Sequence, residues 1–570
     1  MHNRDIAALF NELADLLEIK GENPFKVRAY RNAARMLESL GTSVEGMIER
    51  GEDLTRLPGI GEDLAGKIEE IVRTGKLEKL EKLKKQIPES LRSLLSIEGL
   101  GPKKIRVLYE KLHITDMASL EEAAKTHRID ALKGFGPKTE EAILSGVRML
   151  KQEGIRHLFA EAEPIAEELV AYLKRAPGLE AVDVAGSFRR RKETVGDLDL
   201  LCIAKDPAKV IDHFVRYARI AEVVSSGDTR ATVLLKNALQ IDLRAVKKES
   251  YGSALHYFTG SKSHVIEIRK IAIDMGLKIN EYGVFKGEER VAGRDEKEVY
   301  ASVKLPYIEP ELRENRGEIE AAMQKRLPHL IERSDLRGDL HMHTRYSDGL
   351  HTIEEMAQKA KSLGYAYIAI TDHSPSLAMI KGLDAQKAQE QIEAIDALNE
   401  RLEGITVLKG MEVDILEDGS LDMERGVLER LDIVTAAIHS KFSLSKRAQT
   451  RRLLKAIAHP LVHVIAHPTG RLIGKREAID LDLEEIFKAA AKEGCALEIN
   501  AQPQRLDLSD IHIREAKEHG VLFTLSTDAH AEDQLEFIRY GIYQARRGWV
   551  EKEDVLNTLP LSRLKSALKG

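Results

Sequence analysis

Three regimes of hydrophobic patterning divide the chain. Up to about residue 150, apolar positions recur at helical spacing, as in "MHNRDIAALFNELADLLEIK" at 1–20, between short glycine-bearing turns. From about 160 to 310 the period shortens. "VDVAGSFRR", "LDLLCIA", "ATVLLKN" and "LQIDLRAV" read as branched-apolar strands interleaved with helical stretches. After 335 the apolar runs "YAYIAIT", "ITVLKGM", "DIVTAAI", "VHVIA", "CALEIN" and "VLFTLST" alternate with amphipathic helices such as "TIEEMAQKAKSLG". Such βα repetition predicts a parallel sheet or barrel. Between the last two regimes, 311–334 is proline-bearing and charged and reads as a linker with its own helix.

Composition narrows the class. At 570 residues the chain exceeds one core and predicts several domains. It is 43% hydrophobic, 32% charged and 5% aromatic. No apolar stretch approaches the ~20 residues needed to cross a bilayer, and acidic residues in the first helix argue against a signal peptide. Cys202 and Cys495 lie in separate apolar runs and read as buried free thiols, so a cytoplasmic protein is expected. A net charge of -6 gives no overall pull toward nucleic acid, so any such binding must be local. Without heptads or an apolar interface stripe, the expected state is a monomer.

The local arrangement exists. "LPGIGEDLAGKI" at 57–68, "IEGLGPKKIRVL" at 97–108 and "LKGFGPKTEEAI" at 132–143 share one grammar, a glycine pair around an apolar residue followed by a helix. The pairs are Gly59 and Gly61, Gly99 and Gly101, and Gly134 and Gly136. A helix that starts on such a turn offers free backbone N–H groups to a phosphate. Three copies would grip a nucleic-acid backbone without reading its bases. They resemble helix-hairpin-helix motifs.

In "GSFRRRKETVGDLDLL", Asp197 and Asp199 alternate with Leu198 and Leu200. On a strand both carboxylates share one face, and paired carboxylates call for a hard divalent cation. Asp242 in "LQIDLRAV" supplies a third carboxylate, and "AGSFRR" offers a glycine turn, a hydroxyl and arginines suited to a triphosphate. Taken together, residues 1 to ~310 resemble a family X DNA polymerase of the DNA polymerase beta type.

The resemblance implies Asp197, Asp199 and Asp242 as catalytic ligands of Mg²⁺ or Mn²⁺, with Asp242 activating the primer hydroxyl. It implies nucleotide contacts at Gly186, Ser187, Arg190 and Gly196. From "YFTGS" it adds Tyr257, Phe258 and Gly260, the two aromatics selecting against a ribose 2′-hydroxyl. Arg269 would meet the template strand. Lys26 and Lys67 fall at DNA-contacting positions of a lyase-like domain, Lys67 at its nucleophile position. There are departures. Asp63 stands where the family has a supporting lysine, and a nearby carboxylate keeps an amine protonated. Val265, Lys262 and Gln240 replace an asparagine, an acid and an arginine.

In the last regime, candidate ligands fall at or beyond strand ends: His341, His343, His373, Glu412, His439, His467, Asp528 and His530, with Asp348 in a turn. Strand ends of a βα barrel converge on one face, and imidazoles with carboxylates suit Zn²⁺ or Mn²⁺. Residues ~335 to 570 resemble a PHP (polymerase and histidinol phosphatase) domain. That resemblance implies a distorted (β/α)7 barrel with three metal ions. One would lie on His341, His343, Glu412 and Asp528, a second on Asp348, His373 and His530, and a third on His439 and His467 with Glu412 shared. Arg471 and Arg505 are candidate phosphate clamps.

The expected organisation is therefore a helical lyase-like DNA-binding domain at 1–80 and a helix-hairpin-helix subdomain at 81–155. An α+β nucleotidyltransferase palm with a nascent-base-pair subdomain follows at 156–310, then the linker and a PHP domain at 335–570. The expected function is gap filling by a DNA-directed DNA polymerase in base excision repair. The barrel would act as a 3′→5′ exonuclease and AP endonuclease, with gapped, nicked or primed DNA and dNTPs as partners and no membrane. The other reading is a histidinol-phosphate-type phosphatase fused to a degenerate, DNA-binding nucleotidyltransferase.

Overall fold

The computed structural model describes residues 3–40, 44–84, 102–129, 156–376 and 382–568, with isolated positions between 94 and 143. Gly99, Gly101 and Gly134 lie outside the described residues. The N-terminal region is helical. Helices Asn3–Ile19 and Pro24–Ser39 pack through Phe10, Leu13, Leu17, Tyr30 and Leu37. Gly59, at φ +79°, turns the chain so that Gly61 caps helix Glu62–Thr74. Helix Pro102–Leu112 lies just after the second glycine pair in the sequence.

A short pair, β1 (His157–Leu158) and β3 (Thr194–Val195), borders the next domain. Its main sheet has the order β2-β4-β7-β6-β5, from Leu179–Val184 (β2), Asp197–Ala204 (β4), Ile220–Ser226 (β5), Arg230–Leu235 (β6) and Gln240–Ala245 (β7). Only β4 and β7 run parallel. The predicted alternation holds along β4. Leu198, Leu200 and Cys202 are buried with Ile241, Leu243 and helix residues Leu169 and Phe214, and the aspartates take the opposite face. Both cysteines are buried and neither is in a disulfide.

Helices Tyr251–Thr259 and Lys262–Asp274 and the small sheet β8 (Lys278–Asn280), β9 (Gly283–Lys286) and β10 (Glu289–Ala292) complete this half. The charged stretch beyond 310 packs tightly against it. Leu312, Ile319 and Ala322 join its core. The Arg313 side chain is fully buried, with Nη1 2.5 Å from Glu296 Oε1. Arg189 donates to the same carboxylate from the far side at 2.6 Å, so Glu296 locks the palm to the following segment.

The C-terminal half is a seven-stranded parallel barrel. Its strands are β11 (Gly338–Asp339), β12 (Tyr367–Ile370), β13 (Thr406–Asp414), β14 (Ile433–Ala437), β15 (Val464–Ile465), β16 (Ala496–Asn500) and β17 (Phe523–Ser526), paired in chain order. The ring closes through a parallel bridge between Met342 and Ala529, where His343 N donates to Ala529 O at 2.8 Å. Strands buried on both faces explain the continuous apolar runs in the sequence. Leu556, Leu564 and Leu568 pack against Leu340, Tyr367 and Leu408.

Burial alone would raise the Glu296 carboxyl, but Arg313 and Arg189 outweigh it and hold it at about 2. The stability this gives is present above the usual glutamate range and is lost as pH falls toward 2. Glu296→Gln leaves buried guanidinium groups without their counter-charge. It is expected to lower unfolding free energy by about 3–5 kcal/mol and to flatten the acid limb of the denaturation profile, both read by chemical denaturation against pH.

Candidate functional site

The first cluster follows from strand register. Asp199 on β4 stands opposite Asp242 on β7, with Asp197 two residues along the same face. Burial first, then the charges of Asp197 and Asp242, pushes the Asp199 carboxyl up to about 7; burial and Asp242 also raise Asp197. Three acids on one strand face, raising one another's carboxyls, are a donor set that a divalent cation would satisfy. Asp242 is further oriented by Gln240 Nε2 at 2.7 Å and by the Thr232 hydroxyl. Gln240, the residue that departs from the family pattern, thus keeps a hydrogen bond to this carboxylate.

The glycine turn lies directly over the acids. Gly186 adopts φ +64°, and a Cβ there would come within 2.5 Å of Asp199 Oδ2. Ser187 follows it in the short helix Gly186–Arg189, and Gly196 packs beside Arg156. Arg190 donates from Nη1 to Thr259 O at 2.5 Å and from Nε to Glu314 at 3.0 Å. Gly260, at φ +68°, sits against that guanidinium, where a Cβ would be 3.2 Å from Nη1. Tyr257 is exposed, and Phe258 lies under the Arg244 guanidinium at 4.9 Å. The structure thus brings Gly186, Arg190, Gly260 and the three aspartates together. Arg269 is exposed on helix Lys262–Asp274.

In the N-terminal region, Lys26 is exposed, with Glu22 3.8 Å away. Lys67 is paired to Asp63, donates to the Asp63 carbonyl at 3.1 Å, and lies over the Tyr30 ring. Gly59 and Gly61 have open space where a Cβ would stand, so the hairpin backbone is accessible.

The second cluster occupies the strand-end face of the barrel and is centred on Glu412. Its Oε1 is 2.9 Å from His467 Nε2 and 3.3 Å from His439 Nε2. Its Oε2 is 2.9 Å from His373 Nδ1, 3.4 Å from His341 Nε2 and 3.6 Å from His343 Nε2. His343 turns Nε2 to Asp528 at 3.1 Å and Nδ1 to Asp348 at 3.7 Å. His530 Nε2 is 3.1 Å from Asp348. Ligand atoms converge in three groups: His341, His343 and Asp528; His343, Asp348, His373 and His530; and His373, Glu412 and His439.

All nine predicted residues assemble, but their grouping differs from the expected one. His343 and His373 each belong to two groups, because an imidazole has a nitrogen on either side of its ring. Glu412 belongs with His373 and His439, and His467 reaches the cluster through it.

Buried His341 Nε2, His343 Nδ1, His373 Nδ1 and Glu412 Oε2 make no hydrogen bond. Unsatisfied inward atoms on imidazoles and a carboxylate fit metal ions. Burial would lower His341, yet Glu498, Glu412 and Asp528 outweigh it and raise it; His439 is likewise held at about 10 by Glu412 and Asp414. His467 and Asp528 hold positive φ of +28° and +52°, backbone strain of a kind that collects at functional sites.

Sequence reasoning missed the groups behind the ligands. Glu498 Oε1 is 2.7 Å from His341 Nδ1, and its Oε2 accepts from His467 N and Asn500. Asp414 Oδ1 is 2.5 Å from His439 Nδ1. Each leaves Nε2 as the inward nitrogen. Their signal was an acid inside an apolar strand, "ALEIN" and "MEVD". Of the two arginines, Arg471 is bound to Glu193, Arg505 O and Leu506 O and is no free clamp. Arg505 Nε lies 3.6 Å from Asp528 Oδ2, at the edge of the cluster.

Comparison with known proteins agrees with this layout. Family models match as a helix-hairpin-helix domain over residues 1–77, a SAM-like helix-hairpin-helix tandem over 91–149, a DNA polymerase beta thumb over 254–314 and a PHP domain over 339–502. The "DNA polymerase/3'-5' exonuclease PolX" of Bacillus subtilis (strain 168) is 41% identical over 573 residues, covering 100% of each chain. A "Probable phosphatase" of Thermoanaerobacter sp. (strain X514) is 29% identical over 40% of this chain and 94% of its own length. Another, from Syntrophotalea carbinolica, is 32% identical over 38% and 90%. The chain belongs to the family X DNA polymerases that carry a C-terminal PHP domain.

Two substitutions test the geometry. Glu498→Gln should weaken metal retention by the barrel roughly 10–100-fold, read as metal content after dialysis against graded chelator. Gly186→Ala forces a methyl group onto the Asp199 carboxylate and should abolish nucleotide addition while leaving the barrel's metal content unchanged.

Proposed function

We propose that this chain fills short DNA gaps at the aspartate cluster and trims DNA 3′ ends at the histidine cluster, as a base-excision-repair enzyme with AP-endonuclease capacity. The observation that carries the reading is the register of Asp199 against Asp242 directly beneath Gly186. Three acids on one strand face with a glycine turn against Asp199 support this reading. Asp242, oriented by Gln240 and Thr232, is placed to draw the proton from a primer 3′-hydroxyl. Arg190, Ser187 and the turn at Gly186 hold the incoming triphosphate, Tyr257 and Phe258 face its sugar, and the hairpins hold the DNA backbone.

In the barrel, the imidazoles and Glu412 would hold metal ions against which a scissile phosphate binds, with Arg505 at the edge of that cluster. Mg²⁺ or Mn²⁺ at the first centre and Zn²⁺ or Mn²⁺ at the second would stabilise phosphoryl charge and, in the barrel, acidify water. The relatives named as phosphatases support phosphoester hydrolysis by the barrel. The hairpins and the thumb support DNA as its substrate. No described helix is long and apolar enough to cross a membrane.

Separation of function is the test. Asp242→Ala should abolish extension on a gapped duplex and spare Mn²⁺-dependent 3′ degradation; His341→Ala with His343→Ala should do the reverse. Loss of both activities in both folded variants would refute independent centres. Hydrolysis of histidinol phosphate with no action on DNA ends would favour the phosphatase reading.

A further inference from the structure

The segment Gly186–Glu193 is anchored from two sides. Its first half belongs to the palm. Gly186 rests on Asp199, and Arg189 bonds Thr259 and Glu296. Its second half is gripped by the barrel at three positions. Arg547 Nη1 donates to Arg190 O at 2.7 Å. The Arg191 guanidinium lies 4.2 Å above the Tyr543 ring, with Phe159 and Phe188 at 5.3 and 5.8 Å. Arg471 Nη2 donates to Glu193 at 2.7 Å.

Arg191 itself has φ +54°, a left-handed conformation that a non-glycine residue keeps only where surrounding contacts hold it. Those contacts include the ring of a residue on the barrel helix Ile538–Arg547. That helix also shares the palm core, where Tyr540 is 4% exposed.

Arg547 does more than hold the main chain. The same Nη1 donates to Glu314 at 3.0 Å, and Glu314 is the acceptor for Arg190 Nε. Arg547 Nη2 is held at 2.6 Å by Asp510, which also receives Arg316. The Arg547 side chain is 2% exposed. One buried guanidinium therefore fixes both the backbone of Arg190 and the carboxylate that aims its side chain. Arg190 Nη2 makes no hydrogen bond among the described residues and is the donor left for a ligand.

We propose that the barrel helix Ile538–Arg547 is a positioning element of the polymerase centre, with Arg547 and Tyr543 setting the pose in which Arg190 meets the incoming triphosphate. The proposal rests on the nucleotide-binding role given to Arg190 above. Without Arg547, Glu314 loses its strongest cationic partner and the hydrogen bond that fixes where it holds Arg190 Nε, with Lys192 and Arg316 still facing it, while the carbonyl of Arg190 loses its donor. A misplaced phosphate ligand weakens substrate capture first, so the effect falls on KM for dNTP.

The test uses the full chain on a one-nucleotide gapped duplex, with 3′ degradation by the barrel as the control for folding. Tyr543→Leu and Arg547→Ala should each raise KM for dNTP about tenfold with kcat within about threefold. Arg547→Lys should recover part of the loss, because it keeps a buried cation beside Glu314. Exonuclease rates should stay at the parental level in Tyr543→Leu and Arg547→Lys. If Arg547→Ala fails to fold, the partly exposed Tyr543→Leu and the conservative Arg547→Lys decide the matter. Unchanged KM in those two, with KM raised by Arg190→Ala, would overturn the positioning role and leave the nucleotide site intact. Unchanged KM in Arg190→Ala would overturn the nucleotide site itself.

Discussion

A carboxylate buried among imidazoles is the constraint on which the barrel is built. Glu412 is 1% exposed and meets five histidines from four different strand ends, His341 and His343 sharing one. A lone charge there would cost several kcal/mol, so the site exists only if every strand delivers its residue to the same point. Parallel strands in chain order do this without long loops, because each C-terminal end falls on the same rim. The closing bridge from Met342 to Ala529 then brings His341 and His343 beside Asp528. The fold and the cluster are one arrangement seen at two scales.

The palm solves a different problem with different atoms. Its acids come from two adjacent strands and are brought together by register alone. Oxygen-only donors suit hard cations that exchange with a phosphate substrate, whereas imidazole-rich sets retain softer ions. The two donor sets are chemically distinct, one of carboxylate oxygens alone and one rich in imidazole.

Much of this was legible in the sequence because it depends on short periods. Alternation put Asp197 and Asp199 on one face, and the apolar run before each of His373, His439 and His467 put them at strand ends. What was not legible depends on contacts between distant segments. Whether His373 joins Asp348 or Glu412 is settled by which way a ring turns, and the ring touches both. Glu498 looks like one more strand residue until His341, 157 positions earlier, is found 2.7 Å away. Arg471, read as a phosphate clamp, is consumed by Glu193 across the domain boundary. The second and third glycine hairpins fall largely outside the described residues.

The boundary itself carries the last step of the synthesis. A palm joined to a barrel only by a flexible tether would share no core with it, yet here Leu506 and Tyr540 of the barrel lie in the palm core. Buried pairs cross from Arg547 to Glu314 and from Arg316 to Asp510. Buried ion pairs add little stability compared with apolar packing, but they tolerate only one relative placement of their partners. Domains that merely needed proximity would gain more from an apolar seam. Polar groups with narrow geometry are what an interface needs when angle matters, and the segment they fix is the one carrying Arg190. The two clusters are therefore held in one frame.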